Sequence, residues 1–314
     1  VVLEHGRFLR LHDGAEEFLA VAAGRLRHGA DSGAALPTVG DWVAVGMSNA
    51  AGKPAGQERL GSIQHVLPRK SRFSRRRAGL RAVEQVVAAN VDVVFLLMGL
   101  DADFNPRRLE RYLAVAFASG ARPVVVMNKA DLLPGDELET RRAAVAAIAG
   151  AVPIVSTNLR ELEGHLPVQE LLVAGETVAL LGSSGVGKST LLNRLAGAEL
   201  QRTADVRQSD GRGRHTTTYA QLFRVAGGAL AIDTPGMREL QLWEADEGLG
   251  TAFADVEALA VACRFRDCRH ADEPGCAVRE GLATGELAAD RWASFKKLQA
   301  ELEESRGARG KRKR

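Results

Sequence analysis

The chain has 314 residues, room for two or three domains of ordinary size, and its 46 % hydrophobic and 26 % charged residues are those of a soluble globular protein. No apolar run approaches the roughly 20 residues of a membrane span, no basic segment leads into an apolar core in the opening VVLEHGRFLR, and three cysteines are too few for a disulfide framework. A reducing cytoplasm and no membrane partner are therefore expected, and the net charge of +3 is modest but unevenly placed.

From residue 1 to about 78, short apolar segments alternate with turn signals: FLAVAAGRLRHG, then ADSGAALPTVGDWVAVG, then GSIQHVLPR. Gly, Pro and Asp punctuate short strands, the pattern of a small β-barrel, with Trp42 and Val43–Val45 expected inside. No catalytic constellation occurs in this part, and binding is its expected use, because small barrels of this type often bind oligonucleotides. RKSRFSRRR (69–77) holds six basic residues in nine and no acid, and RGARGKRKR (306–314) repeats that ratio. Both suit contact with nucleic-acid phosphates. Aromatics make up 5 % of the chain, so base stacking is not expected to be the main mode of recognition.

The middle alternates strand and helix. VDVVFLLM (91–98) is apolar but for Asp92, as a strand buried on both faces must be along its length. In NPRRLERYLAVAFASG, Asn105 is a good N-cap and Pro106 suits the first helical position. Leu109, Tyr112, Leu113 and Ala116 share one face, and Gly120 stops the helix. Further strands are expected at 122–127, 152–155, 177–181 and 229–232, which makes a doubly wound α/β domain.

Polar motifs sit at the ends of these strands. Asn128-Lys129-Ala130-Asp131 matches the guanine-reading signature of Ras-like GTPases. Asp131 can accept from guanine N1–H and the 2-amino group, Asn128 can bond the other ring edge, and the Lys129 stem can cover the ring. IVSTN (154–158) supplies a supporting loop, with Ser156 or Thr157 near the base. Gly182-Ser183-Ser184-Gly185-Val186-Gly187-Lys188-Ser189 matches G-x-x-x-x-G-K-S in full, between a strand and a helix. Its backbone N–H groups can turn around phosphate oxygens, Lys188 can reach the β- and γ-phosphates, and Ser189 can ligate Mg²⁺. Thr190, next in the helix, joins the nucleotide-binding set.

GRGRHTTTY (211–219) reads as a mobile switch loop in which one of Thr216–Thr218, taken as Thr217, completes the Mg²⁺ shell. In Asp233-Thr234-Pro235-Gly236 the Asp holds Mg²⁺ through water and the Gly236 N–H senses the γ-phosphate. Met237 stands where many GTPases carry a water-orienting Gln, so His215 becomes the candidate for that task. The order is base reader, supporting loop, phosphate loop, first switch, second switch: a circular permutation, which closely spaced domain termini permit.

After about residue 240 the pattern is Ala- and Glu-rich and helical, with a last helix around 286–304. It is interrupted by Cys263-x₄-Cys268-x-His270-x₅-Cys276. Three thiolates and one imidazole can close a tetrahedral Zn²⁺ site with no open position, which is a structural role. Arg264, Arg266 and Arg269 lie between the ligands and suggest an RNA-facing knuckle.

Taken together, QVVAANVDVVFLL, NKADLL, GSSGVGKSTLLN, GRGRHTTT, IDTPGMRE and the Cys/His segment resemble the ribosome-small-subunit-dependent GTPase family, RsgA (also called YjeQ), over nearly the whole chain. The resemblance implies a multidomain protein. An OB-fold barrel (1–78) would bind RNA, a central α/β circularly permuted P-loop GTPase domain (79–240) would follow, and a mainly helical zinc-binding domain with a basic tail (241–314) would end it. It further implies a monomeric GTP/GDP-binding enzyme that acts in late maturation of the small ribosomal subunit, contacts its rRNA and is stimulated by that subunit. His215 falls on the family's switch histidine, Met237 agrees with the family's lack of the Gln, and the four zinc ligands are the same.

Overall fold

The computed structural model describes residues 1–28, 33–47, 60–76, 84–198, 220–233 and 246–310. The N-terminal module comprises β1 (Leu3–His5), β2 (Phe8–His12), β3 (Glu17–Ala22), the short α1 (Gly24–His28), β4 (Val43–Met47) and β5 (Leu60–Val66). β3 pairs antiparallel with β2 and parallel with β5, whose other neighbour is β4. Leu9, Leu11, Ala20 and Ile63 form its small core, with Val43 and Val45 packed against them. Trp42 does not join that core: it is 71 % exposed. Successive strand residues face opposite sides, so the parity that turns Val43 and Val45 inward leaves Trp42 and Ala44 outside.

A two-stranded ribbon, β6 (Arg72–Arg76) with β7 (Glu84–Ala89), follows and spans the expected boundary near residue 78. The basic cluster divides here. Arg69 is spent internally, with two bonds of 2.7 Å to the buried Asp41 carboxylate and two more to the carbonyls of Ala34 and Leu36, whereas Lys70 and Arg72 are exposed.

The α/β core comprises β8 (Val93–Gly99), α2 (Pro106–Ser119), β9 (Arg122–Asn128), α3 (Gly135–Ala149), β10 (Ile154–Thr157), α4 (Leu166–Gln169), β11 (Thr177–Gly182), α5 (Lys188–Ala196), β12 (Gln221–Arg224) and β13 (Leu230–Asp233). β10, β9, β8, β11 and β13 lie side by side and parallel, with β12 antiparallel at the end of the row. Every residue of β8 and of β11 is buried, which is why both strands read as unbroken apolar runs. β1 then pairs with β12 through Leu3 and Gln221, so the row continues as β1-β2-β3-β5-β4 into one sheet of eleven strands. No pairing of β4 with β1 closes a barrel among the described residues. The chain start instead meets the segment before β4, where Gly40 N donates to Val1 O at 3.0 Å.

α2 forms as its sequence dictates. Asn105 Oδ1 accepts from Arg108 N at 3.1 Å, Pro106 opens the helix, and Gly120 closes it in the left-handed region at φ 85°. Leu109, Tyr112, Leu113 and Ala116 are buried beneath it. Its other side receives α6 (Asp246–Ala252) and α9 (Ala289–Gly310), with α7 (Ala254–Val261) packed on α6 and α8 (Ala277–Thr284) packed on α7. The buried Arg291 of α9 fixes the contact. It donates to Glu110 of α2 at 2.9 Å, to both oxygens of Asp255 at 2.8 and 3.0 Å, and to Ala252 O at 2.8 Å. No helix among the described residues is long and apolar enough to cross a membrane.

Candidate functional site

The C-terminal ends of the parallel strands gather the motif residues, as the crevice of a doubly wound sheet should. β11 delivers Gly182, and the loop turns through Gly185 (φ 73°) and Gly187 (φ 108°) into α5. Gly187 has a second reason to be glycine, since a Cβ there would lie 2.5 Å from Asn128 Nδ2. Ser184 and Gly185 form the exposed tip, Val186 is buried beneath it, and Ser189 and Thr190 are half-buried in the first helical turn. No side chain caps that turn, which leaves its N–H groups to an anion. Lys188 Nζ donates to Gly182 O at 2.6 Å and to Ser183 O, so the ammonium is folded over the loop it would serve.

Asn128, at the end of β9, is the junction of the site. It is 3 % exposed. Its Nδ2 donates to Val186 O at 2.8 Å, and its Oδ1 accepts from Thr157 Oγ1 and Leu159 N, both at 3.2 Å. One amide thereby ties base reader, phosphate loop and supporting loop together and keeps a second N–H for a ligand. Thr157 is paired with Asn128 across β9 and β10, while Ser156 is paired with Met127 and is half-buried on the alternate face. Lys129 takes a left-handed backbone (φ 67°), and its Nζ meets Asp101 Oδ2 at 2.5 Å. Asp131 follows in a short turn, with Arg160 Nη1 3.8 Å from its Oδ2.

Two carboxylates here escaped the sequence reading. Asp101 holds Lys129, and Asp103 accepts from Ser183 Oγ in the phosphate loop and from Arg108 of α2. Burial pushes the Asp101 carboxyl up, but Lys129 and the backbone N–H of Asp103 more than offset it and hold it below the ordinary carboxylate value. The sequence signal was there in DADFN, acids at the C-terminal end of a buried strand just before a helix cap, but nothing local distinguishes it from a capping turn.

Asp233 ends β13 beside β11, on the phosphate-loop side of the sheet. The residues expected in the switches, His215, Thr216–Thr218, Thr234, Gly236 and Met237, lie outside the described residues, as do residues 311–314 of the basic tail.

A second cluster lies between α7 and α8. The ligand atoms of Cys263, Cys268, His270 and Cys276 are all within 4.8 Å of one another. Zn–S bonds of about 2.3 Å and Zn–N bonds of about 2.0–2.1 Å require tetrahedral S···S edges of about 3.8 Å and S···N edges of about 3.5 Å. Cys263 and Cys276 Sγ are 3.9 Å apart, and His270 Nδ1 is 3.6 and 3.5 Å from them, so the donor set fits a tetrahedral zinc ion. Burial pushes the Cys263 thiol up, but the N–H groups of Val278 and Ala277 at the start of α8 more than offset it and bring it below the ordinary value. Cys268 is pushed up to about 11 by burial and by the neighbouring Cys276 and Cys263 thiols, against the backbone N–H of His270. Only a bound cation would keep all three thiols ionised this close together. The Trp292 ring of α9 meets His270 edge-on, with centroids 5.6 Å apart.

The sequence model of the RsgA GTPase family matches residues 66–243. A protein of Opitutus terrae named small ribosomal subunit biogenesis GTPase RsgA is 52 % identical over 308 residues, which cover 96 % of this chain and 82 % of that protein. A protein of Syntrophotalea carbinolica with the same name is 44 % identical over 310 residues, with the same coverage of both. The crystal structure of YjeQ from Thermotoga maritima superposes with a TM-score of 0.68 at 29 % identity and covers 96 % of each chain. YloQ, described as a circularly permuted GTPase, gives a TM-score of 0.66 at 22 % identity over 96 % of this chain and 94 % of its own, a likeness of fold.

Proposed function

The chain belongs to the RsgA GTPase family, and from that premise we propose that it hydrolyses GTP with Mg²⁺ while bound to the small ribosomal subunit, during that subunit's late maturation. Asn128 carries the nucleotide part of this reading. A buried amide that bonds the phosphate loop 58 residues away and the supporting loop at once makes structural sense only if the two are parts of one site. Asn128, Lys129 and Asp131 read the base, supported by Ser156 and Thr157. Gly182, Ser183, Ser184, Gly185, Val186, Gly187, Lys188, Ser189 and Thr190 receive the phosphates, and the Gly236 N–H meets the γ-phosphate. Ser189, Thr217 and Asp233 would hold Mg²⁺, which compensates the charge that builds up on the phosphate oxygens. His215 orients the attacking water, a task for which Met237 has no polar group.

Cys263, Cys268, His270 and Cys276 hold one structural Zn²⁺, a set supported by the tetrahedral spacing above. The modules are residues 1–78, an OB-fold RNA-binding barrel; 79–240, the permuted GTPase domain; and 241–314, the zinc domain. Exposed Lys70 and Arg72 suit rRNA phosphates, and the protein works as a monomer in the cytoplasm, a reducing compartment that suits its clustered, unpaired thiols. GTP turnover with and without purified small subunits tests the whole. Basal turnover on the order of 10⁻⁴–10⁻³ s⁻¹ and strong acceleration by the subunit are expected. Identical rates in both would sink the subunit-dependent reading.

A further inference from the structure

None of the motifs that mark the nucleotide site includes Asp101, yet its carboxylate is what Lys129 grips. The turn that presents it is tightly built. Leu100 N donates to Asn128 O at 2.9 Å, and Arg141 Nη1 donates to Leu100 O at 2.9 Å. Asp103 N donates to Asp101 Oδ1 at 3.1 Å, and Phe104 N donates to Asp101 O at 3.0 Å. A Cβ on Gly99 would fall 2.6 Å from Asp101 Oδ1, so the carboxylate fills the space that a side chain there would need. Oδ1 is thereby committed to the turn, and Oδ2 takes Lys129 Nζ at 2.5 Å. Two residues on, Asp103 accepts from Ser183 Oγ, which pins the same turn to the phosphate loop.

Resting on the guanine-nucleotide reading above, we propose that Asp101 is a positioning residue for base recognition: it anchors the Lys129 ammonium so that the aliphatic stem is extended before the guanine ring arrives to lie against it. A lysine with four rotatable bonds and a loose end would be immobilised only on binding, which costs about two- to tenfold in affinity. The pair is itself part-exposed, 25 % for Lys129 and 31 % for Asp101, so its effect on fold stability is small. A structural role would move the melting temperature, whereas a positioning role moves nucleotide affinity.

The test is equilibrium titration of fluorescent GDP and ADP against the unmodified protein, Asp101→Ala, Asp101→Asn, Lys129→Ala and the double substitution Asp101→Ala/Lys129→Ala. Asp101→Ala should weaken GDP binding about two- to tenfold with little change in melting temperature. Asn keeps one of the two acceptor oxygens, which can still serve Lys129, and should recover part of that loss. In the Lys129→Ala background Asp101→Ala should have a much smaller effect, because the group it positions is gone and only the Oδ1 bond to the turn remains to be lost. If the unmodified protein prefers GDP but the two substitutions add independently, or Asp101→Ala binds GDP as tightly as the parent, the proposal is overturned and the base reader stands. Equal affinity of the unmodified protein for GDP and ADP would overturn both.

Discussion

The nucleotide site and the zinc cluster are assembled in opposite ways. The first joins residues 28, 58 and 80 positions apart in Lys129–Asp101, Asn128–Val186 and Ser183–Asp103. The second joins ligands 6, 7 and 13 residues apart. Bringing distant residues together has an entropic cost, which the buried strands of the sheet offset whether or not a nucleotide is present. The short cluster rests on the helical core through Cys276, with Cys263 and Cys268 packed against it, but its thiols repel one another once ionised. On the zinc reading a cation completes that cluster, so one site is made by the fold and the other would help to make it.

That contrast can be broken at several points. Asp131→Asn acts on a group already in place and should exchange guanine preference for xanthine, a change in the GTP to xanthosine triphosphate ratio on the order of 10⁴; competition binding with an unchanged ratio would remove Asp131 from the base reader. Lys188→Ala should lower turnover on the order of 10³-fold, and a variant that turned over at the parent rate would dismiss the phosphate-loop reading. His215→Ala should cost on the order of 10²-fold in subunit-stimulated turnover while GTP affinity holds. Full stimulated activity would mean that another group holds the water. Cys276→Ser, or chelation, should release zinc and loosen the contact of His270 with Trp292, read by tryptophan fluorescence. GDP affinity should stay within about twofold, because among the described residues the two sites share no partner. A GDP affinity that collapsed with the metal would join the two sites and sharpen the contrast away.

Much of this was legible in the sequence where the chemistry is local. The phosphate loop, the N-K-x-D tetrad, the capped α2 and the Cys/His spacing each declare themselves within a dozen residues or so, and their order revealed the permutation. Trp42 misled because an aromatic beside valines looks like core, while strand parity decided otherwise. The expected strand at 152–155 sits two residues later, at Ile154–Thr157, because Pro153 cannot supply a ladder N–H. Asp101 and Asp103 were illegible because their partners, Lys129 and Ser183, come together only when β8, β9 and β11 lie side by side. Arg69 looked like its basic neighbours until Asp41, 28 residues before it, claimed it.

The Leu3–Gln221 pairing has a consequence for solubility. β12 ends the α/β row, and a bare terminal strand offers unpaired N–H and C=O groups to any other chain. Here β1 covers it, and β2 covers β1 in turn. The N-terminal module therefore doubles as an edge guard, handing the sheet on from β1 through β2, β3 and β5 to β4. A chain shortened before Val39 would carry β12 uncovered, and concentration-dependent light scattering would rise as these edges found one another. A shortened chain that stayed monomeric at high concentration would show that the edge is blunted by something other than β1.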